Sequence, residues 1–363
     1  MTGILKRLYG NREEDNDKEI LRKSRGKNLS FILLALVLML VLSAYSMTIS
    51  SSGITVSEVF GTLVNQIFPD TFDIPDKTQA IVMKVYAPRV FMAILVGSIL
   101  AIGGCITQTI LKNPLATPYT LGVSSSASFG AGLAIIVGIS TSVGSFGTVF
   151  NAFLFSLIPA AVILIVSSRK NMMATTLILI GISLSYLFSA ANTLLQYFGD
   201  AEAVKAALFW TVGDLNSVML SQVPYVFATL VFTVICSLFL LKDINIMRMG
   251  DDTATSLGVN VKRTRTLSIV LACFSTAVAV SFVGAIGFIC LLAPQISRLF
   301  VGGNLRYLFP ASAVMGALLL TVADIVAKAM FSPIILPVGA ITALVGAPVL
   351  IYLLIRNKNM VVS

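Results

Sequence analysis

Between Arg89 and Lys112 the chain carries no charged residue, and a helix over that run, rising ~1.5 Å per residue, reaches across the ~30 Å of hydrocarbon in a bilayer. The run closes on Asn113-Pro114-Leu115-Ala116, and a further proline, Pro118, follows. Proline lacks the amide hydrogen that a helix uses and pushes the residue before it out of α geometry. A helix is therefore expected to stop near Lys112 and another to restart near Tyr119. Pro88 is placed in the first turn of the first helix, where proline is tolerated. A hairpin inside a membrane follows, and every other segment has to be compatible with it.

Composition agrees. The 363 residues are 57% hydrophobic and 11% charged, with a mean hydropathy of +0.95, which is the make-up of a polytopic membrane protein and not of a soluble domain. The absence of histidine removes the commonest metal ligand and the commonest proton shuttle near neutral pH. Cys105, Cys236, Cys273 and Cys290 sit singly in apolar stretches and read as packing residues, not as a disulfide framework or a zinc site. The net charge of +9 is read against the membrane, and no nucleic-acid partner is inferred from it.

Taken in order, residues 1–27 hold eight Lys/Arg and five Asp/Glu, so 1–28 reads as a charged cytoplasmic tail. Ten spans follow, at 29–49, 89–111, 119–138, 148–167, 172–197 and 222–241, then two short ones between 266 and 300, then 310–330 and 336–355. The pair between 266 and 300 is needed because one helix of that length would overshoot the bilayer; Gly284 and Gly287 offer the turn. This makes 29–356 one permease domain and 357–363 a cytoplasmic tail. Segment 50–80 is placed outside, partly at the interface, and Trp210 on a short outer helix after the fifth span. Polar residues 243–265 form the one sizeable inner loop. With this layout 20 of the 25 Lys/Arg fall on the inner side, which places both termini in the cytoplasm. No internal repeat stands out in the sequence itself.

Charge inside a membrane is costly and marks function. The only acid inside an expected span is Asp324, with Lys328 four residues on along the same helix face, an i,i+4 pair near the outer surface. A cation-coupled secondary transporter, the alternative reading, usually needs more such groups or a broken helix with carbonyl ligands. No His/Cys/Asp/Glu cluster suggests a membrane enzyme. No phosphate loop of the form GxxxxGK[ST] is present, so energy for uphill transport has to come from another polypeptide, through 243–265.

The motifs together say more. Pro88-Arg89, Gly97, Gly103-Gly104, Gln108, Asn113-Pro114-Leu115-Ala116, Pro118 and Leu121-Gly122-Val123-Ser124 open the pattern. Ala254, Leu257-Gly258-Val259-Asn260 and Arg263 continue it, and Gly284 to Ile289, Ala293 to Leu299, Ala323-Asp324, Leu336 to Gly339 and Thr342 to Pro348 complete it. In this order they closely resemble the FecCD-type permeases of ATP-driven importers for iron-siderophores, haem and cobalamin.

The resemblance implies an all-α, ten-span type II ABC importer permease in the cytoplasmic membrane of a prokaryote, with spans two to five and seven to ten as an inverted repeat. It implies a dimer with an identical or paralogous permease and an extracytoplasmic substrate-binding protein. It also implies an ATP-binding cassette subunit that carries ATP and Mg, so that this chain binds no cofactor. Ferric siderophore is the first cargo, with haem and cobalamin next.

By resemblance, Ala254, Leu257, Gly258, Val259, Asn260 and Arg263 contact the ATPase, with Gly258 permitting a left-handed turn between two short helices. Arg89 and Lys328, helped by Lys84, dock the binding protein, and Asn113, Pro114 and Leu115 form an inner gate. Ser183, Ser185, Asn192 and Gln196 put polar groups along the fifth span, facing the path or bonding neighbouring helices. Two positions depart from the pattern: Gln295 stands where many members have His, and Tyr86 where they have Arg.

Overall fold

The structure, a computed structural model, describes residues 25–49, 54–66, 68–69, 71–140, 146–169, 173–330 and 335–356. Residues 1–24 of the tail expected at 1–28, and the tail expected at 357–363, lie outside the described residues. The first helix, α1 (Arg25–Ser46), starts inside the expected tail. Asn28 donates to the Val301 carbonyl at 3.4 Å and Phe31 stacks on Phe300 at 4.5 Å, so packing carries the helix past the hydropathy boundary.

The others are α2 (Val56–Asn65), α3 (Asp76–Ile81), α4 (Ala87–Ile110), α5 (Val123–Ile136), α6 (Gly147–Arg169), α7 (Ala174–Tyr197) and α8 (Ala201–Val212). They continue as α9 (Val223–Met247), α10 (Asp251–Ser256), α11 (Val261–Val283), α12 (Ile289–Val301), α13 (Leu305–Ala329) and α14 (Val338–Arg356). Among the described residues seven helical stretches are long and apolar enough to cross a bilayer, and α5, α12 and α14 are shorter apolar helices, which accounts for the ten expected spans.

The second span begins earlier than expected. α3 and α4 join through a π turn at Val82–Tyr86 into one helical rod, Asp76–Ile110. Pro88 is thus inside a rod and not at its start. Its ring would press on the carbonyl four residues back in a regular helix, and the wider turn just before it gives that carbonyl room.

α4 is the axis of the molecule, packed on α13, α11, α12 and α9. Its crossing with α13 is backbone on backbone: a Cβ added at Gly97 would lie 2.5 Å from the Gly316 carbonyl oxygen. Small residues at such a crossing let dispersion contacts replace the hydrophobic drive that lipid does not supply. α11 ends at Val283 and α12 starts at Ile289, with the break at the expected place. This irregular stretch is sheltered inside protein: Ile286 is fully buried and its carbonyl accepts from the Tyr119 hydroxyl at 3.0 Å.

The bundle has two ends. Lys112 and α10 share one, while Ser46, Arg89 and Asn216 share the other with the last turn of α13.

Candidate functional site: an inner turn, a coupling corner and a buried charge cluster

After α4 the backbone turns sharply. Lys112 takes φ +49, a conformation unusual for a residue with a side chain, and Asn113 N–H reaches back to the Gln108 carbonyl at 3.1 Å. The Asn113 Oδ1 accepts from Leu115 N–H at 2.9 Å, and Ala116 N–H donates to the Asn113 carbonyl at 3.1 Å. Pro114 thus sits in a closed turn, as its missing amide requires. From the neighbouring helix Gln295 donates through Nε2 to the Pro114 carbonyl at 2.9 Å and to Gln108 Oε1 at 3.2 Å. An amide side chain at 295 therefore clasps the turn to α12, and its own Oε1 is buried without a hydrogen-bond partner.

The residues expected to contact the ATPase fold as a compact corner. Ala254 is fully buried on α10, and the Val259 N–H donates to its carbonyl at 3.0 Å. Gly258 takes φ +84 with nothing near the place of a Cβ, so the left-handed turn expected there is present. Asn260 caps α11, its Oδ1 accepting from Arg263 N–H at 3.0 Å. Leu257 points outward, 60% exposed, and Arg263 is exposed beside it. An apolar knob on a cornered, polar surface is suited to a partner's groove.

The turn and the corner meet. Asp251, the first residue of α10, accepts from Lys112 Nζ at 2.8 Å and from Arg265 Nη2 at 2.5 Å. Burial pulls the Asp251 carboxyl upward, but the hydrogen bonds and charges of Lys112 and Arg265 outweigh it and hold it below its ordinary value of 3.8.

Asn113 and Leu115 border a cavity of about 550 Å³ with Ser125, Ser185, Tyr186 and Ser189. Ser183 and Asn192 are not among its lining residues. Ser183 is exposed on α7 and bonds its hydroxyl to the Leu179 carbonyl at 2.9 Å. Asn192 is half-buried, close to the Gly132 position of α5, with its Oδ1 lacking a hydrogen-bond partner.

At the far end Asp324 accepts from Arg89 Nε and, at 2.8 Å, from Lys328 Nζ. Ser46 completes the cluster, donating its hydroxyl to Asp324 at 3.0 Å and accepting from Lys328 through its carbonyl at 3.1 Å. Arg89 also donates to Asn216. Arg89 and Lys328 are 2% and 6% exposed, and both cations expected to dock a binding protein are paired here with Asp324. The i,i+4 pair forms, but in the interior and not at the surface. The physical reason is that α1 ends on top of it, and a cation already beside a buried carboxylate gains nothing by leaving. Lys84 is exposed and free of this cluster.

Lys112, Asp251, Arg265 and Gln295 were not singled out from the sequence as a connected set. Lys112 and Asp251 lie 139 positions apart, and no periodicity or motif spacing links them.

Comparison with known proteins bears on this geometry. The FecCD transport family matches residues 36–356. The Fe(3+)-citrate import system permease protein YfmE of Bacillus subtilis is 32% identical, over 93% of this chain and 98% of its own length. The hemin transport system permease protein HmuU of Yersinia pestis is 32% identical, over 91% and 96%. Among solved structures, the inward-facing conformation of a metal-chelate type ABC transporter superposes with a TM-score of 0.77 at 29% identity, covering 90% of this chain and 99% of that one. A hairpin clasped at Pro114, a cornered α10–α11 segment and a match along nearly the whole chain converge, and the chain belongs to the FecCD transport family of ABC importer permeases.

Proposed function

We propose that this permease moves a ferric siderophore inward across the cytoplasmic membrane of a prokaryote, as one half of a permease dimer. An ATP-binding cassette subunit, holding ATP and Mg, seats against the α10–α11 corner, and an extracytoplasmic binding protein delivers cargo at the Arg89 end. Both termini are cytoplasmic in this reading, since the charge balance puts the α10 end inside. The observation that carries it is the exposed Leu257 on a buried-Ala254 corner that is ion-paired to the Asn113–Ala116 turn. An ATPase that moves the corner thereby reaches a turn that borders a hydroxyl-lined cavity.

Of the basic residues expected to dock the binding protein, Lys84 is the one exposed at the surface. The open face of α7, with Leu179, Tyr186, Leu187 and Leu194 exposed, is the surface proposed for the second permease and the path. A cation-coupled mechanism loses support because Asp324 is bound to two cations in the interior.

Relatives carry iron-citrate, hemin, cobalamin and ferric enterobactin in their names, so cargo is the finer question. It is tested by reconstituting the complex with its ATPase and binding protein in proteoliposomes. The binding protein, loaded in turn with ferric siderophores, haem and cobalamin, should stimulate ATP hydrolysis most with a ferric siderophore. Greater stimulation by haem or cobalamin would reassign the cargo, and uptake driven by an ion gradient without ATP would overturn the importer reading.

A further inference from the structure

Three helical elements converge on one half-exposed carboxylate at the α10 end. Lys112 follows the end of α4, Asp251 opens α10, and Arg265 belongs to α11. We propose that Asp251 is a positioning residue that ties the Asn113–Ala116 turn to the α10–α11 corner, so that displacement of the corner is delivered to the turn through Lys112. The inference rests on the importer reading for its purpose, though not for its geometry.

The corner is braced within itself. Thr255 and Ser256 return their hydroxyls to the Asp251 and Asp252 carbonyls at 2.9 and 3.0 Å, and Gly258 N–H donates to Thr255 at 3.0 Å. With Ala254 buried underneath, a push on Leu257 cannot be absorbed inside α10 and has to appear at its ends.

The turn, by contrast, has two holds of different kinds. On one side Gln295 clasps the Pro114 carbonyl from the protein interior. On the other Lys112, kept at φ +49, reaches Asp251. A left-handed non-glycine residue persists only where its surroundings determine it, and the pair with Asp251 is one such determinant.

The accessibility of the cluster suits a moving part. The Asp251 and Lys112 side chains are 42% and 44% exposed, so their pair can open to water with little penalty and reform. Arg265, 11% exposed, stays with α11 and keeps the carboxylate aimed when Lys112 lets go. The turn that would shift carries Asn113 and Leu115 on the rim of the cavity shared with Ser185 and Ser189. Asp251 therefore stands between the ATPase contact and the rim of the path.

The test uses the full-length permease in lipid nanodiscs, with Ala116→Cys, at a buried position of the turn, as probe and Cys236, the cysteine that is not buried, replaced by alanine. Maleimide labelling at position 116 should quicken about tenfold when Asp251→Asn or Lys112→Gln is added, and Asp251→Glu should restore most of the slow rate. Unchanged labelling in both variants would overturn the proposal, and this readout needs neither cargo nor transport. In the reconstituted complex the same Asp251→Asn should keep its ATPase bound and hydrolysing while ATP consumed per cargo imported rises by about tenfold. Loss of ATPase co-purification would make Asp251 a docking residue and overturn the positioning role. If the wild-type complex imports nothing with ATP, the importer reading fails while the labelling result still decides whether Asp251 holds the turn.

Discussion

Asp324 and Asp251 are each held between two cations, and α4 runs from one cluster to the other: Arg89 lies in its first turn, and Lys112 just beyond its last. The chemistry matches, but the surroundings do not. The Asp324 side chain is 1% exposed and the side chains of its two cations 3% and 4%, whereas the Asp251 side chain is 42% exposed. A buried triad has given up hydration that only its own members replace, so removing one partner strands charge in a medium that cannot solvate it. A half-exposed triad has water as an understudy, and its members can part and return. The contrast separates a fixed clamp, which closes α1 and α13 onto the head of α4, from a link that can be worked during a transport cycle.

The sharpest way to break this contrast is to ask which end faces which compartment, because the effect is all or none. Single cysteines at Asp200, opening α8, and at Thr255, exposed on α10, should be labelled oppositely by impermeant maleimide on whole cells. Reaction at position 200 and protection at 255 are expected. The reverse pattern would put the workable link outside, away from any ATPase, and would end the interpretation of the two triads given above.

Next in size is stability. Asp324→Asn leaves Arg89 and Lys328 buried without their counter-charge and should cost about 3–5 kcal/mol in denaturant unfolding in micelles. Asp251→Asn should stay within about 1 kcal/mol. Replacing the whole buried triad with apolar residues of like size should recover most of the loss, since nothing charged then remains to be compensated. Equal losses at 324 and 251 would mean that burial does not distinguish the clusters.

How much of this was legible beforehand follows the same division. Spans, their number, the stop at Lys112 and the break near Gly284 are local consequences of hydropathy, proline and glycine, and each is visible in a short window of sequence. The left-handed turn at Gly258 was legible for the same reason. What the windows concealed is pairing between distant helices. Asp324 and Lys328 share one helix and were seen as a pair. Arg89 comes from 235 positions away, and its place at a helix end says nothing of α1 closing above it. The Lys112–Asp251 contact was hidden likewise, and so was the role of Gln295 in clasping Pro114. The early start of the second span is hidden in the sequence because Pro88 has the signature of a helix start, and a π turn is a tertiary accommodation that no residue type announces.

The smallest expected effect concerns protons. Asp251 has a folded-state pKa below its ordinary value of 3.8, held there by Lys112 and Arg265 against the upward pull of burial. A carboxyl shifted down on folding adds stability above its unfolded pKa and loses it as pH falls through the folded one. The advantage of wild type over Asp251→Asn should therefore be constant from about pH 7 to about pH 5 and shrink as the pH is taken below the ordinary carboxylate range. At 42% exposure solvent screens the cluster, so the whole difference should amount to less than about 1 kcal/mol. Raising salt at neutral pH should erode the same difference, because Asp251 and Lys112 are within reach of mobile ions. The comparison with the asparagine variant cancels every other acid in the chain, which makes so small a change readable in unfolding midpoints. An advantage that grew on acidification would have the wrong sign for an ion-paired carboxylate, and Asp251 would then be held by something other than Lys112 and Arg265.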